Sequence, residues 1–370
     1  MIRVLEKLKY ITNGGIEAFV FGTLDHISGV DADVFSDNSP KTSKYSAVAA
    51  EHNIKVFTAD KDRSAKIKPV RMAAKVTDFI GFLKKNNYDV VHIHMCRPYD
   101  AMYAVAARLG GNKRILLHSH FSRRSDELVF EKLLNTFFRV VSRITASEFA
   151  ACSEQAAEYM FGTKNFILLK NGIDTANFAF DTKIRNAERE RLGIGDCFAV
   201  GNVGRLAPLK NHTFLLDVFA ELLKLRENSV LVIAGDGELS EILKQKADSL
   251  GISERVMFLG AVDNVSPLYQ AIDCFVFPSL SEGLGIAAVE AQTAGLVTVC
   301  SDGVPRETGI TELCSFMPLS ASPKEWAEHI ISRTSGYERK SFADEVRAAG
   351  YDIKDTAEQL EKIYLSLAEE

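Results

Sequence analysis

Short apolar runs of strand length alternate with longer amphipathic segments almost from end to end of this chain. That alternation limits the fold more than any other feature, because strands joined through helices pair in parallel and need helices over both faces. In the first half, strands are expected at 2–8, 54–59, 89–95, 114–120, 145–153 and 166–170, with helices near 16–27, 70–85 and 128–143. After Asn171-Gly172-Ile173-Asp174 a polar stretch runs to about Gly195, and the alternation then restarts at 198–203, 230–234, 255–259, 273–278 and 297–301. The expectation is an α/β chain of two doubly wound, Rossmann-like domains, 1–175 and 176–354, facing each other across a cleft with ligands at strand C-terminal ends. Residues 355–370 are helical in period (Ile363, Leu365, Leu367) without a following strand, so this tail is expected to cross back and complete the first domain.

Composition removes several alternatives. With 370 residues, 46% hydrophobic, 25% charged and a formal charge of −5, the chain is neither disordered, nor a disulfide miniprotein, nor a general nucleic-acid binder. Residues 1–170 carry 25 Lys and Arg against 18 Asp and Glu, and the remainder 19 against 31. A basic front half suits an anionic acceptor or membrane surface; chance drift of surface charge explains it equally well. The six cysteines (96, 152, 197, 274, 300 and 314) show no C-x-x-C spacing, which fits a reducing cytoplasm. The start, Met1-Ile2-Arg3-Val4-Leu5-Glu6-Lys7, is broken by charge too often for a secretory segment, and no run of about 18 apolar residues occurs, so any membrane contact is expected to be peripheral.

The richest stretch runs from Pro278 to Gly295, where a buried strand ends and a helix starts near Gly285. Gly283 and Gly285 leave bare backbone at the positive end of a helix dipole, a site for phosphate oxygens. Glu282 and Glu290 should repel a diphosphate unless they reach past it in opposite directions. Eight residues at 1.5 Å rise span about 12 Å, enough for one to accept sugar hydroxyls and the other a ribose diol. The structural alternative is a helix-capping Glu282 and a surface Glu290. Gly204-Arg205 and Lys210-Asn211 follow another strand, and Arg205 as a fork with Lys210 as a point charge can neutralise a leaving diphosphate.

Together with Ala234-Gly235-Asp236-Gly237-Glu238-Leu239, Phe258-Leu259-Gly260 and Glu282-x7-Glu290, that pairing resembles the family 4 retaining glycosyltransferases of the GT-B fold over nearly the whole chain. Leu117-His118-Ser119-His120, Ala151-Cys152-Ser153-Glu154, Asn171-Gly172-Ile173-Asp174 and the segment from Glu290 to Gly295 are similar to the branch that builds bacterial exopolysaccharide and capsule. The resemblance implies transfer of a hexosyl or N-acetylhexosaminyl group, with retention, from a UDP-sugar to a glycan or lipid-linked acceptor, with no metal or cofactor. It places Arg205 and Lys210 on the diphosphate, Glu290 on the ribose, Glu282 on the sugar, and the backbone of Gly283, Leu284, Gly285 and Ile286 on the phosphates. Gly14 and Gly15 lie beside donor and acceptor, Gly204, Gly235 and Val262 near the nucleotide, and His120 on the donor sugar near the reacting carbon.

His118 and His120 share one strand face, and His92-Ile93-His94 repeats the spacing, which raises a four-histidine metal site; no carboxylate or H-E-x-x-H partner is evident. Asp31-Ala32-Asp33 is expected in a loop. The basic residues Lys61, Arg63, Lys66, Lys68, Arg71, Arg123 and Arg124, with an apolar face of Phe130, Leu133, Leu134, Phe137, Phe138 and Val141, suggest contact with an anionic bilayer, although core packing is the commoner role of such a face. Two rivals stay open: a nucleotide-sugar 2-epimerase, and a non-catalytic subunit that binds nucleotide sugar. A dinucleotide-dependent oxidoreductase is disfavoured, since Asn13-Gly14-Gly15-Ile16 and Gly235-Asp236-Gly237-Glu238 both fail G-x-G-x-x-G.

Overall fold

The computed structural model describes residues 1–11, 14–38, 45–59, 68–121 and 129–369; Asn13, Lys61, Arg63, Lys66, Arg123 and Arg124 lie outside the described residues. The chain divides into two compact units, Met1–Ile173 joined by Ile353–Glu370, and Asp174–Asp352.

The first unit holds a sheet of β1 (Ile2–Leu8), β2 (Val30–Ser36), β3 (Val56–Thr58), β4 (Val90–Met95), β5 (Ile115–Ser119), β6 (Glu148–Ala151) and β7 (Ile167–Leu168), all paired in parallel in the order β3-β2-β1-β4-β5-β6-β7. The second holds β8 (Phe198–Val203), β9 (Ser229–Ala234), β10 (Val256–Phe258), β11 (Cys274–Phe277), β12 (Val297–Ser301) and β13 (Cys314–Met317), in the parallel order β10-β9-β8-β11-β12-β13. Each sheet reverses its winding once, between β1 and β4 and between β8 and β11. At such a switch point the loops leaving the strands diverge and open a crevice. The interior strands β4 and β9 are buried at every residue, as strands covered on both faces must be.

Two strands were not expected. Asp31 and Asp33 lie in β2 rather than in a loop, with Val4 opposite Ala32 and Leu5 opposite Asp33. The charges are tolerated because Arg3 lies 3.4 Å from Asp33 Oδ2 and the Tyr88 hydroxyl donates to the same oxygen at 2.8 Å. β13 is a half-buried edge strand whose short Cys314-Ser315-Phe316-Met317 run carries little apolar signal.

The final helix, Ile353–Glu369, packs Leu360, Ile363, Tyr364 and Leu367 among Val4, Leu8, Phe19 and Leu116 of the first unit. Each such side chain contributes on the order of 1.5–3 kcal/mol by leaving water. The helix Val129–Thr145 does not present one broad face to the core. Phe138 and Val141 pack inward, whereas Phe130 (73% exposed), Leu133 (67%), Phe137 (60%) and Ile144 (74%) form an outward apolar stripe.

Candidate active site

The second unit gathers its chemistry where β8, β9, β11 and β12 end. Backbone bonds lock these loops together: Gly204 N–H donates to the Ala234 carbonyl at 3.0 Å, Leu206 to Asp236 at 3.0 Å, Gly235 to Gly260 at 2.7 Å, and Leu280 to Leu209 at 2.8 Å. Gly235 sits at φ +146°, and a Cβ there would run into the carbonyl of Gly204; one at Gly237 would run into that of Leu206. These glycines are therefore required by the close approach of two loops. Val262, half-buried, follows Gly260 in the loop that Gly235 holds.

Lys210 ends a short turn, Pro208–Lys210, before the helix His212–Leu225. Its Nζ donates to Glu282 Oε1 at 2.6 Å and lies 5.0 Å above the ring of Phe277. Both side chains are largely covered, at 26% and 12% exposure, so this is a desolvated, charge-assisted contact rather than a surface pair. Glu282 lies just before the neighbouring helix, outside its first turn. That helix, Ile286–Thr293, starts after Gly285 at φ +88° with no side-chain cap, which leaves backbone donors at its N-terminus. A Cβ on Gly285 would crowd the Phe277 ring at 3.1 Å, and Gly283 and Leu284 are buried beside it.

Glu290, one turn further along, is not a simple surface residue: the buried Tyr269 hydroxyl donates to its Oε2 at 2.7 Å. Burial and the adjoining Glu290 carboxylate keep the Tyr269 phenol protonated far above its ordinary range. Tyr269 is held in turn through its helix, Ser266–Ala271, whose last carbonyls are taken by Arg339 (Tyr269 O, 2.6 Å), Arg185 (Gln270 O, 3.0 Å) and Arg189 (Ala271 O, 2.6 Å). Three guanidiniums at a helix C-terminus are the favourable end of its dipole. Arg205 is exposed and reaches Glu238 Oε2 at 3.3 Å.

In the first unit His120 follows β5 and is buried in a cluster of four imidazoles. His94 Nδ1 lies 2.7 Å from His120 Nε2, and His92 Nε2 lies 3.2 Å from His118 Nδ1. The carboxylate that the sequence did not reveal is Glu6 of β1, whose Oε2 is 2.8 Å from His94 Nε2 and 3.0 Å from His92 Nδ1. Glu6 and Lys7 share β1 with Arg3, so charge in this strand did not by itself single out Glu6. His92, His94 and His118 bring ring nitrogens within 4.8 Å of one another. The direct contacts within the cluster are hydrogen-bond lengths, however, shorter than the roughly 3.3 Å that separates ligands around a tetrahedral zinc bound at about 2.0–2.1 Å. Gly14 precedes the helix Gly15–Leu24, and a Cβ on Gly15 would meet nothing of its own unit, so local packing does not require that glycine.

Residues 184–340 match the family model described as glycosyl transferases group 1, and residues 17–148 that of glycosyl transferase 4-like proteins. Over 297 residues, 76% of each chain, the sequence is 32% identical to the putative glycosyltransferase EpsF of Bacillus subtilis strain 168. The chain belongs to the group 1 glycosyl transferases. This glycosyltransferase is also 27% identical over 300 residues to the capsular polysaccharide biosynthesis glycosyltransferase CapH of Staphylococcus aureus, covering 78% of the one and 80% of the other. Among solved structures it resembles Anabaena Alr3699/HepE in complex with UDP and glucose, with a TM-score of 0.80 at 18% identity over 99% and 100% of the two chains. That likeness concerns the fold, two Rossmann-like sheets of the GT-B type.

Proposed function

We propose that this glycosyltransferase moves a hexosyl or N-acetylhexosaminyl group, with retention, from a UDP-sugar to a hydroxyl of a glycan or lipid-linked saccharide in exopolysaccharide or capsule synthesis. The observation that carries the reading is the part-buried Lys210–Glu282 contact beside the helix start at Gly285. It resolves the difficulty of an acidic residue at a diphosphate site: the ammonium balances Glu282 until a donor arrives. Lys210 then faces the phosphates and Glu282 accepts hydroxyl bonds from the sugar. As the bond between C1 and the phosphate oxygen breaks, the electron pair passes to the diphosphate, where Lys210, Arg205 and the helix N–H groups receive it. The acceptor oxygen bonds C1 on the same face and its proton passes to the departing phosphate, a path that needs neither a carboxylate nucleophile nor a metal. Glu290, oriented by Tyr269, holds the ribose. UDP bound to HepE and the naming of CapH for capsular polysaccharide support the choice of donor and product.

The test is incubation with a panel of UDP-sugars, with and without saccharide acceptors and with a chelator present. The expected result is acceptor-dependent product whose anomeric coupling matches the donor. A new UDP-sugar formed from donor alone would establish the epimerase instead, and binding without turnover the non-catalytic subunit.

Location at the cytoplasmic face of a membrane, with peripheral contact, belongs to the same proposal. No described helix is long and apolar enough to cross a bilayer. The stripe of Phe130, Leu133, Phe137 and Ile144, flanked by exposed Lys132 and Arg143, fits the surface of an anionic bilayer, where rings enter the interface and the cations meet headgroups. Vesicles containing acidic lipid should sediment the protein at low salt, and Phe137→Ser should weaken this severalfold. Equal sedimentation with neutral vesicles removes the assignment.

A further inference from the structure

Glu6 is fully buried in the first unit and joins two chains of imidazoles. Its Oε2 faces His94 Nε2 and His92 Nδ1, and its Oε1 accepts from the hydroxyl of Tyr364, which also lies 2.6 Å from His92 Nδ1. A neutral imidazole has one N–H and one lone pair, so fixing either nitrogen fixes the other. An ionised carboxylate only accepts. His94 must then carry its proton on Nε2, which leaves Nδ1 to accept from His120 Nε2–H, and Nδ1 of His120 is bare.

The second chain follows the same rule. His92 is protonated on Nδ1 toward Glu6 and Tyr364, its Nε2 accepts from His118 Nδ1–H, and Nε2 of His118 is bare. The two nitrogens that this reasoning strips of hydrogen, His120 Nδ1 and His118 Nε2, are the ring nitrogens of the cluster that lie buried without a hydrogen-bond partner. Asn171 stands beside the His120 ring, and with Nδ1 bare it is the amide N–H of Asn171, not Oδ1, that must face the ring. The protonation states agree. Burial would raise the Glu6 carboxyl, but its bonds to His92 and His94 outweigh that and hold it ionised, while burial and neighbouring imidazoles keep His118 and His120 neutral.

We propose that Glu6, acting through His94, is a positioning residue that locks His120 in the Nε2–H tautomer, so that Nδ1 is presented as a hydrogen-bond acceptor to a hydroxyl of the transferred sugar. The contact with sugar rests on the donor-site reading above; the tautomer does not. Only a group able to donate, the Asn171 amide or a sugar hydroxyl in its place, can face that nitrogen. A phosphate oxygen, which only accepts at neutral pH, cannot.

The experiment is nitrogen NMR of the intact chain labelled with 15N-histidine, with His120 assigned as the ring missing from His120→Gln. In the wild type, Nε2 of His120 should give the protonated, pyrrole-type signal and Nδ1 the bare, pyridine-type signal. In Glu6→Gln, whose amide cannot accept from His94, His92 and Tyr364 together, the single tautomer should be lost. Its kcat should fall at least about tenfold, the scale of one lost hydrogen bond, with donor KM changed less than about twofold. A proton on Nδ1 of His120 in the wild type overturns the proposal, and this spectrum decides even if Glu6→Gln does not fold. So does a folded Glu6→Gln that keeps the wild-type pattern. The expected tautomer together with full turnover in His120→Gln would sink the sugar contact while leaving the relay intact.

Discussion

Lys210→Ala should lower kcat by about a hundredfold, with the fold unchanged. Loss of one preorganised donor to a departing anion costs on the order of 10²–10³ in rate, and here the ammonium also neutralises Glu282 at 2.6 Å inside a largely covered site. Without it, Glu282 becomes an unbalanced carboxylate next to the incoming diphosphate, so donor KM should rise as well. Glu290→Ala should cost at least about tenfold, mainly through the nucleotide, because the ribose hydroxyls lose the carboxylate that Tyr269 orients toward them. Steady-state rates against UDP-sugar concentration, measured on variants whose unfolding midpoint is within a few degrees of wild type, check both. Wild-type turnover in Lys210→Ala would remove the proposed diphosphate site.

Acidification from about pH 7 to about pH 5 should destabilise the protein by several kcal/mol. Burial, with the neighbouring His92, pushes His94 down to about 4; burial and the adjacent Lys210 do the same to His212; and His118 and His120 lie well below the ordinary 6.5 for the same kind of reason. In the unfolded chain these rings take protons near 6.5, whereas the native state refuses them. Unfolding therefore binds protons below that value, and stability falls as pH falls, by up to about 1.4 kcal/mol per ring per pH unit. Thermal melts should show a midpoint roughly 10 °C lower at about pH 5 than at about pH 7. A flat profile across that interval would mean that the rings are solvated or already charged.

The parallel α/β architecture was legible because strands such as Cys274–Phe277, buried at every residue, are written as unbroken apolar runs punctuated by helices. β2 escaped because its first residues carry two aspartates, whose partners Arg3 and Tyr88 lie on other segments. Lys210, Glu282 and Glu290 stood out by residue type beside glycine-rich turns, but a sequence does not show that Lys210 touches Glu282 or that Tyr269 steers Glu290. Glu6 was invisible for a plainer reason. A carboxylate in a strand takes its meaning from what faces it, and Tyr364 lies 358 residues away.

The last helix has a consequence for biosynthesis. The unit Asp174–Asp352 is continuous and can close once its own residues have left the ribosome, but the unit begun by β1 draws on Ile353–Glu369, which emerge only after the whole of the other unit. Until then the nascent chain exposes the groove that Leu360, Ile363 and Leu367 will fill, and Glu6 waits without the phenol that will complete its shell. The earlier unit in the chain is thus completed only after the later one, and its apolar groove stays uncovered for that interval of synthesis.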